Sequence, residues 1–378
     1  MRIINGKLLT MEGEVFENGY VDFENGKITA FGDAKDAPKY DGEVYDACGG
    51  YIMPGMVECH SHIGVMEESI RWEGNDTNES TDPWTPHLRG IDAINPYDKA
   101  FGLAVNAGIT TAVTGPGSGN VIGGQLAAIK LVGTDPDDMV IKAPAAMKMA
   151  FGENPKGYYN RDKKSPQTRM ATAAILREAL FKTKQYMEKK EKGIDVPFDM
   201  KLEAMIPVLK GELYAHIHAH RADDILTAMR VANEFGIQFN IIHTSDAVRV
   251  KEQLKKNNVE FCMGPTLGVS SKPETKNKTF ASYGEVQRFG CTMAITTDHP
   301  VVAIENLPVC AMMAVKEGMD KMEALKAVTI NAAKVAHVDD RVGSIKVGKD
   351  ADIAVFDGSP LEVASKTTAV FIDGVRVK

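Results

Sequence analysis

LYAHIHAHRADDILTAMRVANEFGIQFNIIHTS, residues 213–245, contains one complete structural unit. The first eight residues alternate, with His216, His218 and His220 separated by Ile217 and Ala219. In a strand, side chains two apart share a face, so the three imidazoles project together. ADDILTAMRVANEFG, residues 222–236, has helical spacing and ends on glycine. IQFNIIHTS, residues 237–245, is a second strand that ends at His243. A strand, a crossover helix and a second strand predict two parallel neighbours in one sheet.

The same alternation extends both ways. DMKLEAMIPVLKG (199–211) precedes the unit as an amphipathic helix, and AVRVKEQLKKN (247–257) with VEFCMGP (259–265) continues it. A long helix is predicted over residues 167–193, with lysines near its C-terminal end, as the helix dipole favours. GITTAVTG (108–115) and CTMAITTD (291–298) read as further strands. Alternation across the whole middle of the chain predicts an α/β fold. A closed (β/α)8 barrel of about 250 residues fits this middle. A doubly wound open sheet is the runner-up, and it lacks the glycine fingerprint that would support it.

Both ends differ from the middle. Residues 1–54 are short strands with Asn-Gly and Gly-Gly turns, and residues 340–378 repeat that pattern. Neither end is large enough for a good core of its own. The expectation is a small β-sandwich built by both termini (1–54 and 340–378) around a barrel over 55–339.

Composition narrows the function. Of 378 residues, 44% are hydrophobic and 25% charged, with a net charge of −7, which argues against a nucleic-acid surface. No apolar run approaches a membrane span or a signal peptide, and five widely spaced cysteines without a CxxC pair suit reduced thiols. A soluble cytoplasmic protein acting on a small molecule is expected. A homo-oligomer is compatible with the chain, and no other partner is indicated.

The histidines gather at predicted strand ends. PGMVECHSHIG (54–64) ends a strand on His60 and His62, which alternation turns to one side and Cys59 to the other. His243 and Asp298 end later strands. In a barrel all these ends open at one mouth. Histidines with a carboxylate are the donor set of a catalytic zinc site.

Those residues also carry a resemblance. PGMVECHSH, two later strand histidines, TTDHP (296–300) and AVTINAAKVAHVDDRVGSIKVGKDADIAVFDGSP (327–360) resemble the amidohydrolase superfamily across nearly the whole chain. The likeness is closest to its imidazolonepropionase-related and metal-dependent peptidase branches. It implies a barrel with a terminal β-sandwich, one or two divalent ions such as zinc, and hydrolysis at a carbon centre. Carried over by position, His60, His62, His218, His243 and Asp298 are metal ligands, and Asp298 also takes a proton from the attacking water. On strand four, Lys148 is the match for a carboxylated bridging lysine, with Glu153 as the alternative bridge. His216 is expected to pack more deeply, and His220 to sit at the rim as a catalytic or substrate contact. Arg221 stands where mononuclear relatives carry a glutamate, which favours two ions.

Substrate contacts are expected from the long loop after His62, residues 64–96, and from the glycine-rich run TGPGSGNVIGGQ (114–125). His87, Arg89, Gln125 and Arg221 are the candidates, Arg89 being suited to a carboxylate. The leading function is cleavage of a C–N bond in an amide, peptide or cyclic amide. A heterocycle deaminase is the alternative, followed by a non-catalytic scaffold.

Overall fold

The computed structural model describes all 378 residues. Strands β1 (Arg2–Leu9), β2 (Val15–Glu24), β3 (Lys27–Asp33), β4 (Val44–Asp46) and β5 (Tyr51–Pro54) come first. The barrel strands follow: β6 (Met56–Glu58), β7 (Ile109–Thr114), β8 (Ile122–Lys130), β9 (Val140–Ala150), β10 (Ala215–Ala219), β11 (Phe239–His243), β12 (Phe261–Met263) and β13 (Met293–Ile295). The chain ends with β14 (Ile353–Phe356), β15 (Thr367–Ile372) and β16 (Val375–Arg376). The predicted long helix is present as Arg169–Glu191, its first turn capped by the Thr168 side chain. No helix is long and apolar enough to cross a membrane.

Both termini build one eight-stranded sheet, in the order β16-β15-β14-β5-β1-β2-β3 with β4 also paired to β1. Phe23 of β2 and Phe371 of β15 pack edge to face with centroids 5.5 Å apart, although three strands separate theirs. In a flat sheet that separation would be about 19 Å. The sheet therefore curls until its flanks face each other around Ile3, Leu8, Val21, Ile353 and Phe371. Hydrogen bonding joins all eight strands in one sheet, where the sequence predicts two packed ones.

A buried charge network fastens this sheet to the barrel. The Lys130 ammonium, at the end of β8, lies 2.9 Å from Asp350, 2.7 Å from Asp352 and 3.2 Å from Asp373. Asp350 is also paired with Lys27 and Arg341. Each charge here has a partner, as burial demands.

The second sheet is a nearly closed barrel ordered from β6 to β13. Neighbours are parallel except around β8, which runs antiparallel to both β7 and β9. This corrects the strict eightfold parallel alternation. Residues 115–121 alone connect β7 to β8, too short for the crossover that parallel strands need. Beyond the reach of β7, β8 is flanked instead by the loop after His62, through bridges Trp84–Ile122 and Arg89–Gln125.

Between β13 and β6 a side chain replaces the ladder. Fully buried Glu58 accepts from Thr296 Oγ1 (2.6 Å), Thr297 N (2.8 Å), Thr297 Oγ1 (2.5 Å) and His60 N (3.2 Å). Burial pushes its carboxyl up to about 7 against the pull of these donors.

Two substitutions test these joints. Lys130→Ala leaves buried Asp352 without its cation, so a loss of about 3–5 kcal/mol is expected. A melting temperature within a degree or so of the wild type would show that the network does not hold the sheet. Glu58→Ala leaves the backbone donors of His60 and Thr297 unpaired in the seam, at about 1–3 kcal/mol each. The readout is again thermal unfolding, and an unchanged transition would mean the barrel closes without the carboxylate.

Candidate metal centre

The barrel brings the strand-end histidines together. His60 and His62 follow β6, His62 N donating to His299 O at 2.8 Å. His216 and His218 lie on β10, with His216 in register with Lys148 of β9 and Asn240 of β11. His243 closes β11 with a left-handed backbone, φ 80°. Plain alternation would turn it away from the face that Asn240 and Ile242 share with His216 and His218. The kink, at roughly 1–2 kcal/mol for an L-residue, brings its ring to 4.4 Å from that of His218.

Asp298 is the hub of one group. Its Oδ1 is 3.5 Å from His60 Nε2 and 3.4 Å from His62 Nε2, and its Oδ2 is 3.9 Å from His243 Nδ1. The Lys148 ammonium is 3.0 Å from His60 Nε2. His218, His220 and His243 form a second group, with one nitrogen from each lying within 4.8 Å of the others.

Hydrogen bonds behind the rings fix which nitrogens are free. His62 Nδ1 is 2.9 Å from Gly115 O, and His243 Nδ1 is 2.9 Å from Gly264 O. A carbonyl only accepts, so both protons sit on Nδ1 and both Nε2 lone pairs remain available. Gly264 has to be glycine, since a Cβ there would lie 2.1 Å from Thr296 O. His220 Nδ1 is 2.8 Å from Ser245 Oγ. Buried His60 Nδ1 and both nitrogens of His218 have no hydrogen-bond partner. Unpaired buried donors and acceptors are costly. A set of lone-pair nitrogens beside a carboxylate fits a divalent ion.

Electrostatics keep the set ready. Burial, then Lys148, hold His60 well below the usual imidazole value, and burial, then His220, do so for His218. Burial lowers His220 to about 3 and Lys148 to about 8. Burial pushes Asp298 up, but His243, His62 and Lys148 outweigh it and hold the group below the ordinary carboxylate value. The rings of His60, His218, His220 and His243 stay neutral while the acid stays charged.

The remaining candidates are distributed less evenly. His220 is 3% exposed, so it lies inside the mouth and not at its rim. His216 is deep, as expected, but neither of its ring nitrogens is paired. Glu153 joins neither histidine group: its Oε2 accepts from Glu274 N at 3.3 Å. Arg221 is exposed and holds Asp223 through two bonds of 2.9 and 2.8 Å. His87 and Arg89 line a cavity of about 480 Å³ beside the loop after His62. Gln125 gives its side-chain amide to Pro86 O at 3.3 Å. Cys59 packs with Val57, Cys262 and Ala294.

Two acids escape the sequence analysis. Glu58 is the seam, and its signal is a carboxylate two residues before the first histidine. Glu274 is almost fully buried, with Oε1 at 3.6 Å from His218 Nε2 and 3.7 Å from His220 Nε2. Gly152 makes room for it, since a Cβ there would sit 2.9 Å from Glu274 Oε2.

Known proteins are similar to this chain. The model of the amidohydrolase family matches residues 51–377. The amidohydrolase tasK of Hapsidospora irregularis is 28% identical over 94% of this chain, which spans only 39% of that relative's length. An imidazolonepropionase of Sphingopyxis alaskensis is 24% identical, covering 96% of this chain and 93% of its own. The crystal structure of an amidohydrolase from Thermotoga maritima MSB8 superposes with a TM-score of 0.96 at 38% identity, covering 100% of this chain and 99% of its own.

Proposed function

Because the chain belongs to the amidohydrolase family, we propose that it is a metal-dependent hydrolase that cleaves a C–N bond in an amide, peptide or cyclic amide. One observation carries this: the Asp298 carboxylate lies within 3.5 Å of the Nε2 atoms of His60 and His62, and His60, His243 and Asp298 each bring a ligand atom within 4.8 Å of the others at the mouth of the barrel. Those four residues are the proposed holders of a divalent ion, with zinc the best match to imidazole and carboxylate donors. Such an ion polarises a carbonyl and brings the pKa of water toward neutrality. A carboxylated Lys148 completes the set, its nitrogen being 3.0 Å from His60 Nε2.

Asp298 is the proposed proton carrier. It takes the proton of the attacking water and hands it to the leaving nitrogen. His220 is the reserve for that role, because its Nε2 opens into the same mouth. The substrate contacts proposed are His87 and Arg89, whose cavity borders the loop after His62, with Arg89 gripping a carboxylate. Gln125 and Arg221 already have partners and would have to give them up. The likeness to imidazolonepropionases favours a cyclic amide among the three substrate classes. We also propose that residues 1–54 and 340–378 act as one terminal domain beside the barrel of 55–339.

Purified protein is expected to carry one or two divalent ions per chain, measured by elemental analysis. His60→Ala and His243→Ala should each lower that number, because affinity requires several ligands at once. Fully active, metal-free protein would refute the proposal. Ammonia released from a panel of amides and heterocyclic amidines would move the assignment to an aminohydrolase of the same family.

Asp298→Asn separates base from ligand. Loss of a general base costs about 10²–10⁴-fold, so kcat and kcat/KM should fall together by that much. Metal content should fall less, because the histidines remain. A near-normal kcat at full metal loading would transfer the proton-carrying role to His220.

A further inference from the structure

We infer that His216 is a positioning residue for the metal centre: with Asn240 it holds a buried water in the barrel core, and that water takes the Nδ1 proton of His60. This rests on the reading of His60 as a metal ligand. It deepens that reading by giving a task to the one histidine of β10 that the proposed mechanism leaves unused.

Lys148 fixes the tautomer of His60. Its ammonium donates to His60 Nε2 at 3.0 Å, so the ring proton sits on Nδ1. Ligation through Nε2 requires the same tautomer. His60 Nδ1 is buried and has no hydrogen-bond partner in the protein. Its ring lies 5.4 Å from that of His216, centroid to centroid, and neither nitrogen of His216 is paired. No direct bond joins the two rings. A water with two bonds of about 2.8 Å links nitrogens about 4.5–5.5 Å apart, a span that rings at this separation allow.

Asn240 supplies the third partner. It is in register with His216 on the neighbouring strand, so the two side chains share a face. Its Nδ2 donates to Val335 O and to His337 Nε2, both at 3.0 Å. A carbonyl only accepts, so the orientation of the amide is fixed and Oδ1 is the atom left over. Oδ1 is buried and unpaired. His60 offers a donor, Asn240 an acceptor, and His216 a ring nitrogen of either kind. Three such bonds are what a buried water typically makes.

The surroundings fit a water. Among the apolar residues inside the barrel, Cys59, Ala128, Ala146, Cys262 and Ala294 are small. In such a layer a histidine and an asparagine with unpaired atoms are costly unless something joins them. His62 and His243 already show what the join achieves. Their Nδ1 protons are held by the carbonyls of Gly115 and Gly264, and their Nε2 lone pairs are left for an ion. His60 has no carbonyl behind it, and the water on His216 and Asn240 stands in for one.

Three measurements test this. A high-resolution crystal structure of the wild type should show a water within about 3.2 Å of a His216 nitrogen and of Asn240 Oδ1. In metal-free protein carrying 15N-labelled histidine, the Nδ1 proton of His60 should resonate downfield. It should move upfield in His216→Leu and stay in His216→Gln, whose amide still reaches the water. Titration of chelator-treated protein with Co2+ should show binding about 10–100-fold weaker in His216→Leu, the usual effect of losing the partner behind a ligand. His216→Gln should recover most of that loss. A core without the water, a His60 proton unmoved in His216→Leu, or wild-type Co2+ affinity in that variant would overturn the inference. Co2+ uptake by the wild type would then leave the proposed function standing, and a wild type that takes up none would remove both. The water is read in the wild type, so it decides even where His216→Leu does not fold.

Discussion

Between β13 and β6 the barrel lacks a regular ladder, and the Glu58 carboxylate stands in for it. Its oxygens collect donors from both strands, on His60, Thr296 and Thr297. Those residues are not neutral bystanders. His60 and Asp298 are one residue or less away, and Asp298 N donates to Thr296 Oγ1 at 3.1 Å. The contact that closes the sheet therefore also sets the distance between the first histidine and the last aspartate. A barrel that opened here would lose its candidate metal centre before it lost its core.

The histidine cluster shows what a buried polar group costs and what it makes available. Full burial keeps the imidazoles of His60, His218 and His243 neutral, and the Lys148 ammonium nearby reinforces this. Neutral rings offer lone pairs, and carbonyls behind the rings decide which nitrogen offers them. The left-handed backbone at His243 and at Asp298, φ 80° and 53°, is part of the same arrangement. Both of these deviations occur at residues of the candidate metal centre.

Much of this was legible in the sequence, where periodicity carried it. LYAHIHAH and FNII lie in strands whose alternation aligns with their neighbours, His243 leaving that alternation through its left-handed backbone, and the helix over 169–191 has a clear face. The antiparallel β8 was not legible, because GPGSGNVIGGQ reads as a loop and gains its order from neighbours distant in sequence. The missing signal was negative: no amphipathic helix separates residues 115 and 135. Glu274 stayed hidden for a similar reason. It sits in SSKPETKNK, a polar run that resembles a solvated loop, and it is buried only because Gly152 leaves space 122 residues earlier. The alternating run places its third histidine, His220, at the rim, but the side chain is buried. The loop after β12 covers it.

The two acids divide the arc of histidines between them. Asp298 faces His60 and His62, Glu274 faces His218 and His220, and His243 belongs to both groups. Each acid also has a lysine on hand. Lys272 touches Glu274, while Lys148 lies beside His60 and helps to hold Asp298 in its charged form. A carboxylate this deeply buried needs a positive partner in every state of the molecule. The lysines provide it, and the neutral histidines beside them offer lone pairs of the kind that suit a divalent ion. The same requirement explains why the mouth is rich in both cations and neutral bases, although a hydrolytic reaction alone would not call for two lysines.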